Sequence, residues 1–311
     1  MKYLVTGGAG FVGSNLVHRL LHDGHQVRVI DDMSTGRKEN IEGVLQDVEF
    51  LFEDMLLPGI AEKAVRGVDG VFHQAAIPAV PRSLVDPVGT NLANVEGTLK
   101  MLEACRLAGG VRLVYAASSS AYGNIDVDEK QEDLLPDPCS PYAVQKLVGE
   151  LYCKVYNNAL GTEAVALRYF NVFGPRQNPK AHYSAVIPAF IRSMLQGESP
   201  QVFGDGYQSR DFTYVDDVVS ANIVAMTAPS EAMGRTYNVA RGERTTLLQI
   251  LDELENILGC KANPDFLPER SGDVRHSLAD TKRANEILEW FPQVSIAEGL
   301  QRTVEWIRNK E

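Results

Sequence analysis

The chain has 311 residues, of which 44% are hydrophobic and 23% are charged, and these proportions exclude a disordered chain. Thirty Lys and Arg against 41 Asp and Glu give a net charge of −11, which argues against a nucleic-acid partner or an anionic membrane surface. No apolar run approaches the ~20 residues that cross a bilayer, and no signal-peptide core is recognisable. Four scattered cysteines without a Cys-x-x-Cys pair favour reduced thiols, so a cytoplasmic location is expected.

Residues 1–168 alternate short apolar runs with helical patterns. The runs predict strands at Tyr3–Thr6, Val27–Ile30, Val48–Phe52, Gly70–His73, Arg112–Ala116 and Ala164–Leu167. Apolar residues at helical spacing predict helices at Phe11–Leu21, Asn91–Leu107 and Tyr142–Asn158. Strands joined through helices require crossover connections, so we expect an α/β fold with a Rossmann-type, doubly wound parallel sheet.

After residue 168 the pattern changes to short helices among Gly, Pro and polar residues. Helices are predicted at Ala185–Gln196 and Leu247–Leu258. We predict that residues 169–211 and 241–311 form a smaller α/β domain that closes over the ligand edge of the sheet. Residues 212–240 are expected to rejoin the first domain as a helix and an edge strand.

The turn after the first strand carries the motif G-x-G-x-x-G, at Gly8, Gly10 and Gly13. Glycines there let the backbone approach a pyrophosphate, and the N-terminus of the following helix offers free N–H groups to that anion. Asp31 and Asp32 end the second strand about 20 residues further on, where a carboxylate binds ribose hydroxyls and repels a 2′-phosphate. The sequence therefore predicts NAD as the cofactor, with NADP as the alternative because Arg37 and Lys38 follow closely.

A second pattern indicates acid/base chemistry. Tyr142 and Lys146 lie four positions apart in a predicted helix and so share one face. A nearby ammonium favours the phenolate of a tyrosine, which can then accept a proton from a sugar hydroxyl. Ser118 follows the strand Arg112–Ala116 at the ligand edge of the sheet and can share the transferred proton. These residues are the predicted catalytic group.

These motifs and others, in this order along the chain, resemble the extended short-chain dehydrogenase/reductase family, specifically the UDP-hexose 4-epimerases, over essentially the whole length. The stretches that carry the resemblance are Thr6–Gly13, Asp31–Ser34, Asp54, Gln74–Ala76, Asn94–Thr98, Ser118–Gly123, Tyr142–Lys146, Arg168–Gln177, Gly204–Asp211 and Arg270–Asp280. The resemblance implies an NAD-dependent isomerase that inverts C4 of a UDP-hexose through a transient 4-keto sugar.

The resemblance also assigns site residues. It implies NAD contacts from Gly7, Gly10, Phe11, Val12, Gly13, Asp31, Asp32, Ser34, Thr35, Gly36, Asp54, Met55, Gln74, Ala75, Ala76, Asn94, Ala116, Tyr142, Lys146 and Tyr169. It implies UDP-sugar contacts from Ser118, Ser119, Ser120, Tyr142, Asn171, Ala185, Val186, Phe203, Arg210, Arg270, Asp273 and Ser277. No metal is expected, because the histidines lack ligand spacing, and His73 is interpreted as a packed core residue.

The substrate and its alternatives remain open at this point. The resemblance implies that Ser277 faces the 2-substituent of the sugar, where a small residue favours acceptance of UDP-N-acetylglucosamine and UDP-N-acetylgalactosamine besides UDP-glucose and UDP-galactose. Family dehydratases carry an Asp-Glu pair where this chain has Ser119 and Ser120, which cannot protonate a leaving hydroxyl. The alternatives are a dehydratase, a decarboxylase, a UDP-glucuronate epimerase, a simple dehydrogenase or a non-catalytic sugar-nucleotide sensor. The resemblance also implies a homodimer that pairs two helices of each subunit. The candidates are Asn91–Leu107 and Tyr142–Asn158, and the alternative is that their apolar faces cover the sheet.

Overall fold

The computed structural model describes residues 1–78, 80–178, 185–269 and 275–310. Its strands are β1 (Lys2–Thr6), β2 (Gln26–Ile30), β3 (Val48–Leu51), β4 (Gly70–His73), β5 (Arg112–Ser118), β6 (Ala164–Tyr169), β7 (Val172–Phe173), β8 (Gln201–Phe203), β9 (Ser209–Arg210), β10 (Thr213–Tyr214), β11 (Thr236–Val239), β12 (Thr245–Thr246) and β13 (Asp265–Leu267). Its helices are α1 (Phe11–His22), α2 (Ile60–Val65), α3 (Val80–Val85), α4 (Pro87–Asn91), α5 (Gly97–Leu107), α6 (Pro141–Leu160), α7 (Val186–Leu195), α8 (Val215–Thr227), α9 (Leu247–Leu258), α10 (Lys282–Ile287) and α11 (Ile296–Arg308).

Seven strands form one parallel sheet in the order β11-β6-β5-β4-β1-β2-β3. The order reverses direction at β1, because β2 and β3 lie on one side of it and β4, β5 and β6 on the other. Ligands of open α/β sheets bind at such a reversal, outside the carboxyl ends of the strands. The prediction of a Rossmann-type parallel sheet is confirmed, and β11 is the edge strand expected near the end of residues 212–240.

Side chains alternate between the two faces of this sheet, as the period of a strand requires. On β5, Leu113 and Tyr115 pack into the core beneath α2, α5 and α6, whereas Val114 packs into the core beneath α1 and α8. Both cores are apolar, and all three of these residues are fully buried. Burial on both faces explains why the strands read as continuous apolar runs in the sequence.

The segment Asn91–Leu107 is helical, as predicted, but it is not one regular helix. The segment begins as α4, continues as a π-helical turn over Leu92–Glu96, and becomes regular only in α5. The side chain of Asn94, inside the π turn, bonds both backbone groups of Ile77, at 2.8 Å to its N–H and 3.1 Å to its carbonyl. A tertiary contact therefore accompanies the irregular turn, and periodicity alone does not register such contacts.

The remaining short strands pair outside the main sheet, as β10 with β7, β12 with β9, and β13 with β8. Around them, α7 packs against α9, and α9 packs against α11. These elements supply the apolar cover for the segments that follow β6 and β11. Within the described ranges, no helix has the combination of length and apolarity that spanning a membrane requires.

Candidate active site

A cavity of about 940 Å³ lies at the carboxyl edge of the main sheet. Its walls come from the segments that end or follow β1 to β6, which is where the reversal in strand order predicts a ligand. The residues predicted to contact NAD that line it are Gly7, Gly10, Phe11, Val12, Gly13, Asp31, Asp32, Ser34, Thr35, Asp54, Met55, Gln74, Ala75, Ala76, Ala116, Tyr142, Lys146 and Tyr169. Sequence positions far apart in the chain thus share one cavity.

The glycine turn between β1 and α1 is shaped for close approach. Gly7 has a φ of +66°, and a Cβ there would lie 2.7 Å from the Cα of Ala75. A Cβ on Gly13 would lie 2.1 Å from the carbonyl oxygen of Gly7. Helix α1 begins directly after this turn with no side-chain cap and no acidic residue in its first turn. Its free N–H groups and partial positive charge fit the pyrophosphate of a dinucleotide.

The acidic end of β2 has a structural role beside the cavity. The carboxylate of Asp31 accepts the N–H of Ala9 at 2.9 Å and that of Met33 at 2.8 Å, and so ties the glycine turn to β2. Burial raises the pKa of Asp31, and these two N–H bonds oppose the rise. Gly36 does not line the cavity; a Cβ there would lie 2.7 Å from Oδ1 of Asp31, so the glycine leaves room for the carboxylate.

Asn94 also lies behind the cavity wall rather than in it. Besides its two bonds to Ile77, its side-chain amide donates to Oε1 of Gln145 at 2.8 Å. Ile77 and the following Pro78 line the cavity, and sequence reasoning did not single them out. Asn94 therefore holds the segment that forms the wall.

Two of the predicted catalytic residues, Tyr142 and Lys146, line the cavity, whereas Ser118 does not line it and lies next to Tyr142. Ser140 caps α6, because its side chain accepts the N–H of Ala143 at 3.2 Å, and Pro141 occupies the first turn. In the same first turn, Tyr142 lines the cavity, and burial raises the pKa of its hydroxyl. A hydrogen bond with the side chain of Ser118 acts in the opposite direction and favours the phenolate.

Ser118 is the last residue of β5, not a residue that follows the strand, because β5 pairs with β6 as far as Ser118 and Tyr169. Its Oγ accepts the N–H of Ser120 at 3.2 Å and lies 2.9 Å from the Oγ of Ser120. Ser119 and Ser120 form the turn that follows, over Ser119–Tyr122. The turn places hydroxyl groups, and no carboxylate of its own, beside Tyr142.

Lys146 lies one helical turn beyond Tyr142 and is only 3% exposed. Its ammonium donates to the carbonyl of Ala116 at 2.8 Å and lies 5.0 Å from the ring centroid of Tyr115. Burial lowers the pKa of Lys146 to about 8, and the carboxylate of Glu150 opposes that decrease. The lysine is thus a fixed cation whose charge is sensitive to its neighbours.

His73 is fully buried below this group, as the sequence predicts for a core histidine. Thr98 Oγ1 donates to the carbonyl of Asn94 at 2.6 Å, so it accepts from Nε2 of His73 at 3.1 Å. The Nδ1 atom then accepts from Thr6 Oγ1 at 2.8 Å. Burial first, and the charge of Lys146 second, lower the pKa of His73 to about 3, so the ring is neutral.

Arg176 lines the cavity and is a residue that sequence reasoning missed. Its guanidinium donates to Oδ1 of Asn15 on α1 at 2.7 Å, and Asn15 in turn donates to the carbonyl of Pro175 at 3.0 Å. The arginine therefore adds a cation near the N-terminus of α1, where a pyrophosphate would bind. Its position inside the motif Arg168–Gln177 was the available signal.

A side-chain network around Tyr169 was missed as well. Asn222 on α8 is fully buried and donates to the hydroxyl of Tyr169 at 2.8 Å, while Gln74 donates to Oδ1 of Asn222 at 2.9 Å. The three side chains fix one wall of the cavity between β4, β6 and α8. No sequence motif marked Asn222, because its role depends on packing across the sheet.

The predicted sugar-nucleotide residues are spread over several elements. Tyr142 and Ala185 line the cavity, whereas Ser118, Ser119, Ser120, Asn171, Val186 and Phe203 lie outside its walls. Arg210 donates to the carbonyls of Ser209 at 2.9 Å and Arg275 at 3.1 Å.

Ser277 lies beside β9, the strand of Ser209 and Arg210, because its N–H donates to the carbonyl of Ser209 at 3.1 Å. The structure thus brings Ser277 to the strand that carries Arg210. Two further predicted contacts, Arg270 and Asp273, lie outside the described residues.

Both the sequence and the fold match known proteins. The model of the NAD dependent epimerase/dehydratase family matches residues 3–240. The chain is 40% identical to a UDP-glucose 4-epimerase of Mycolicibacterium smegmatis, over 100% of this chain and 99% of that protein. Its structure superposes with a TM-score of 0.95 and 37% identity on a UDP-N-acetylglucosamine 4-epimerase from Methanobrevibacter ruminantium in complex with UDP-N-acetylmuramic acid, covering 100% and 99% of the two chains.

It also superposes with a TM-score of 0.92 and 35% identity on a UDP-glucuronic acid 4-epimerase from Bacillus cereus in complex with UDP-glucuronic acid and NAD, over 100% of both chains. These relatives are isomerases that act on nucleotide sugars, so the predicted enzyme class, the family resemblance and the NAD cofactor are confirmed. The chain belongs to the NAD dependent epimerase/dehydratase family.

Proposed function

We propose that the protein inverts the configuration at C4 of a UDP-hexose through a transient 4-keto sugar. NAD, when bound in the cavity, supplies the acceptor and donor of the C4 hydride. Tyr142 accepts the proton of the 4-hydroxyl, Ser118 shares that proton through its hydrogen bond, and Lys146 supplies the positive charge that favours the phenolate. The observation that carries the proposal is that Tyr142 and Lys146 share one cavity with the glycine turn and Asp31, with Ser118 next to Tyr142.

The serine turn favours epimerisation over elimination. A dehydratase must protonate a leaving hydroxyl group, which requires an acid beside the sugar. Ser119 and Ser120 follow Ser118 here, and their hydroxyls are too weakly acidic to serve. A simple dehydrogenase is distinguished by the fate of the cofactor, since it would release one NADH for every sugar oxidised.

The substrate is proposed from residue size. We infer that UDP-N-acetylglucosamine is a substrate and that UDP-glucose is also accepted, because Ser277 is small and half-buried beside the strand of Arg210. An acetamido group needs volume that a large aromatic residue at this position would occupy. The proposed UDP-sugar region comprises residues 169–211 and 241–311, with Arg210 and Arg270 on the diphosphate and Asp273 on the uridine ribose.

The experiment incubates the protein separately with UDP-glucose, UDP-N-acetylglucosamine and UDP-glucuronate and follows the products by ¹H NMR. Inverted C4 signals support the proposal, whereas a 4-keto-6-deoxy sugar or UDP-xylose would assign a dehydratase or a decarboxylase. Conversion of UDP-glucuronate alone to its C4 epimer would correct the substrate. Binding without conversion of any of the three would leave a sensor.

Ser277→Tyr tests the substrate assignment. The variant should lower kcat/KM for UDP-N-acetylglucosamine by about ten- to a hundredfold and spare UDP-glucose, because overpacking costs about 1–3 kcal/mol. Ser199→Tyr, at an exposed position, is the matched control and should change neither value. Equal losses on both sugars would contradict the assignment of Ser277.

We also propose a homodimer and a cytoplasmic location. An apolar stripe on α6 faces solvent in the single chain, with Val144, Leu151 and Val155 exposed by 45%, 54% and 50%. Apolar stripes of this kind are typical of protein interfaces. The four cysteines are free thiols, which is the state expected in a reducing compartment.

A further inference from the structure

The catalytic face of α6 extends one turn beyond Lys146. Tyr142, Lys146 and Glu150 follow one another at intervals of four residues, so they lie along a single side of the helix. Lys146 and Glu150 are 3% and 5% exposed, respectively. Two buried, oppositely charged groups one turn apart interact strongly, since little water screens them.

Glu150 is itself fixed by an arginine from the sheet. Arg168 on β6 donates from Nε to one oxygen of Glu150 at 2.8 Å and from Nη2 to the other at 2.6 Å. Its guanidinium carbon lies 4.5 Å from the ring centroid of Tyr122, which ends the serine turn. A bidentate pair fixes the carboxylate in one orientation, so its distance from Lys146 is set by both helix and sheet.

The other groups facing Lys146 do not provide a negative charge at neutral pH. His73 lies below it as a neutral ring, and burial raises the pKa of Tyr115 far above its ordinary range. Burial also raises the pKa of Tyr142 and so disfavours its anion, which is why the phenolate needs the charge of Lys146. Burial lowers the pKa of Lys146 and favours the neutral amine, and the carboxylate of Glu150 raises that pKa and favours the ammonium.

We propose that Glu150, fixed by Arg168, is a positioning residue that keeps Lys146 charged and so keeps Tyr142 ready to accept a proton. The two cations and one carboxylate leave the group with one net positive charge. Without Glu150 two cations would remain buried together, and Lys146 would lose its proton at a lower pH. The effect of Glu150 on the charge of Lys146 is independent of the proposed function. Only the link from that charge to proton transfer by Tyr142 rests on the proposed function.

The first experiment measures that charge without any turnover. Wild-type protein and Glu150→Gln are treated with acetic anhydride from pH 6 to 10, and acetylation of Lys146 is quantified by peptide mass spectrometry. The midpoint should move down by roughly one to two pH units in the variant, the shift of a charge one helical turn away. Glu103→Gln, which removes an exposed carboxylate on α5, should leave the midpoint unchanged.

Two more variants keep the test decisive. Glu150→Asp retains the charge and should retain most of the wild-type midpoint. If Glu150→Gln does not fold because Arg168 is left unpaired, Glu150→Gln/Arg168→Gln removes that guanidinium and should still shift the midpoint downward. An unchanged midpoint in a folded variant, single or double, overturns the inference.

The second readout uses catalysis. In Glu150→Gln the alkaline limb of the pH profile of kcat should move in the same direction, with KM for the UDP-sugar changed less than about twofold, because Glu150 does not line the cavity. A loss of kcat that is equal at every pH would show a structural role only and would overturn the proposal. An acetylation shift in a protein that converts no UDP-hexose would refute the proposed function and leave the electrostatic inference standing.

Discussion

Among single residues, Tyr142 needs the most help from its neighbours, because a tyrosine is a poor base at neutral pH. Burial raises its pKa further, and its hydrogen bond with Ser118 lowers it. The buried ammonium of Lys146 lies one turn away on the same helix and favours the phenolate. The proposed role of Tyr142 therefore depends on several groups that stabilise one charge state, not on an intrinsically reactive residue.

Tyr142→Phe should lower kcat by about 10²–10⁴, the usual contribution of a positioned acid/base group. Affinity for NAD and for the UDP-sugar should stay within about threefold, because the ring remains and only the hydroxyl is lost. Steady-state kinetics measure kcat, and equilibrium dialysis measures the affinities for NAD and for the UDP-sugar. Tyr152→Phe, on the same helix, is the matched control, and near-normal turnover of Tyr142→Phe would remove Tyr142 from this role.

His73 gives a prediction about stability against pH. Its pKa is about 3 in the folded protein, against 6.5 for an unperturbed histidine, so between these values the unfolded chain binds a proton that the folded chain does not. Stability therefore rises with pH across this window, by up to about 1.4 kcal/mol per unit from this residue. Urea unfolding of His73→Gln should show a shallower dependence than wild type from pH 4 to 6.5. Parallel curves would contradict a neutral, buried His73.

At the scale of elements, the sequence predicted the turns and helix starts that are determined by residues next to them in the chain. The glycine turn before α1 and the Ser140-Pro141 start of α6 were recognisable because their residues act on their own backbone. The break between α4 and α5 was not, since Asn94 bonds Ile77 from 17 positions away. The prediction for α6 placed Tyr142 and Lys146 correctly on one face, and Glu150 lies on that face as well.

The exposed apolar stripe of α6, formed by Val144, Leu151 and Val155, is the proposed dimer interface. Leu151→Glu/Val155→Glu should convert the proposed dimer into a monomer, because two carboxylates would be buried against their counterparts across a symmetric interface. Sedimentation velocity at micromolar concentration measures the change. Lys154→Glu on an adjacent position of the helix is the charge control. A wild-type protein that sediments as a monomer would refute the dimer itself.

At the scale of the whole molecule, the parallel sheet and its ligand edge followed from the alternation of strands and helices. The convergence of Arg210 and Ser277 did not, because it depends on pairing between Ser209 and His276, which are 67 positions apart. The cavity likewise requires residues from six strand ends, with Arg176 held in its wall by Asn15, and Tyr169 held there by Asn222. Sequence patterns thus predicted residues that line the cavity better than the long-range contacts that hold them in place.

The central claim is that hydride leaves C4 of the sugar and returns to the same carbon within one active site. The most direct test incubates the purified protein, without added NAD, with UDP-glucose and UDP-N-acetylglucosamine carrying deuterium at C4. We expect C4 epimers that retain the deuterium at C4, seen by ²H and ¹H NMR, with no accumulation of free NADH. Deuterium released into free NADH or solvent, or no epimer from either sugar, would contradict the central claim.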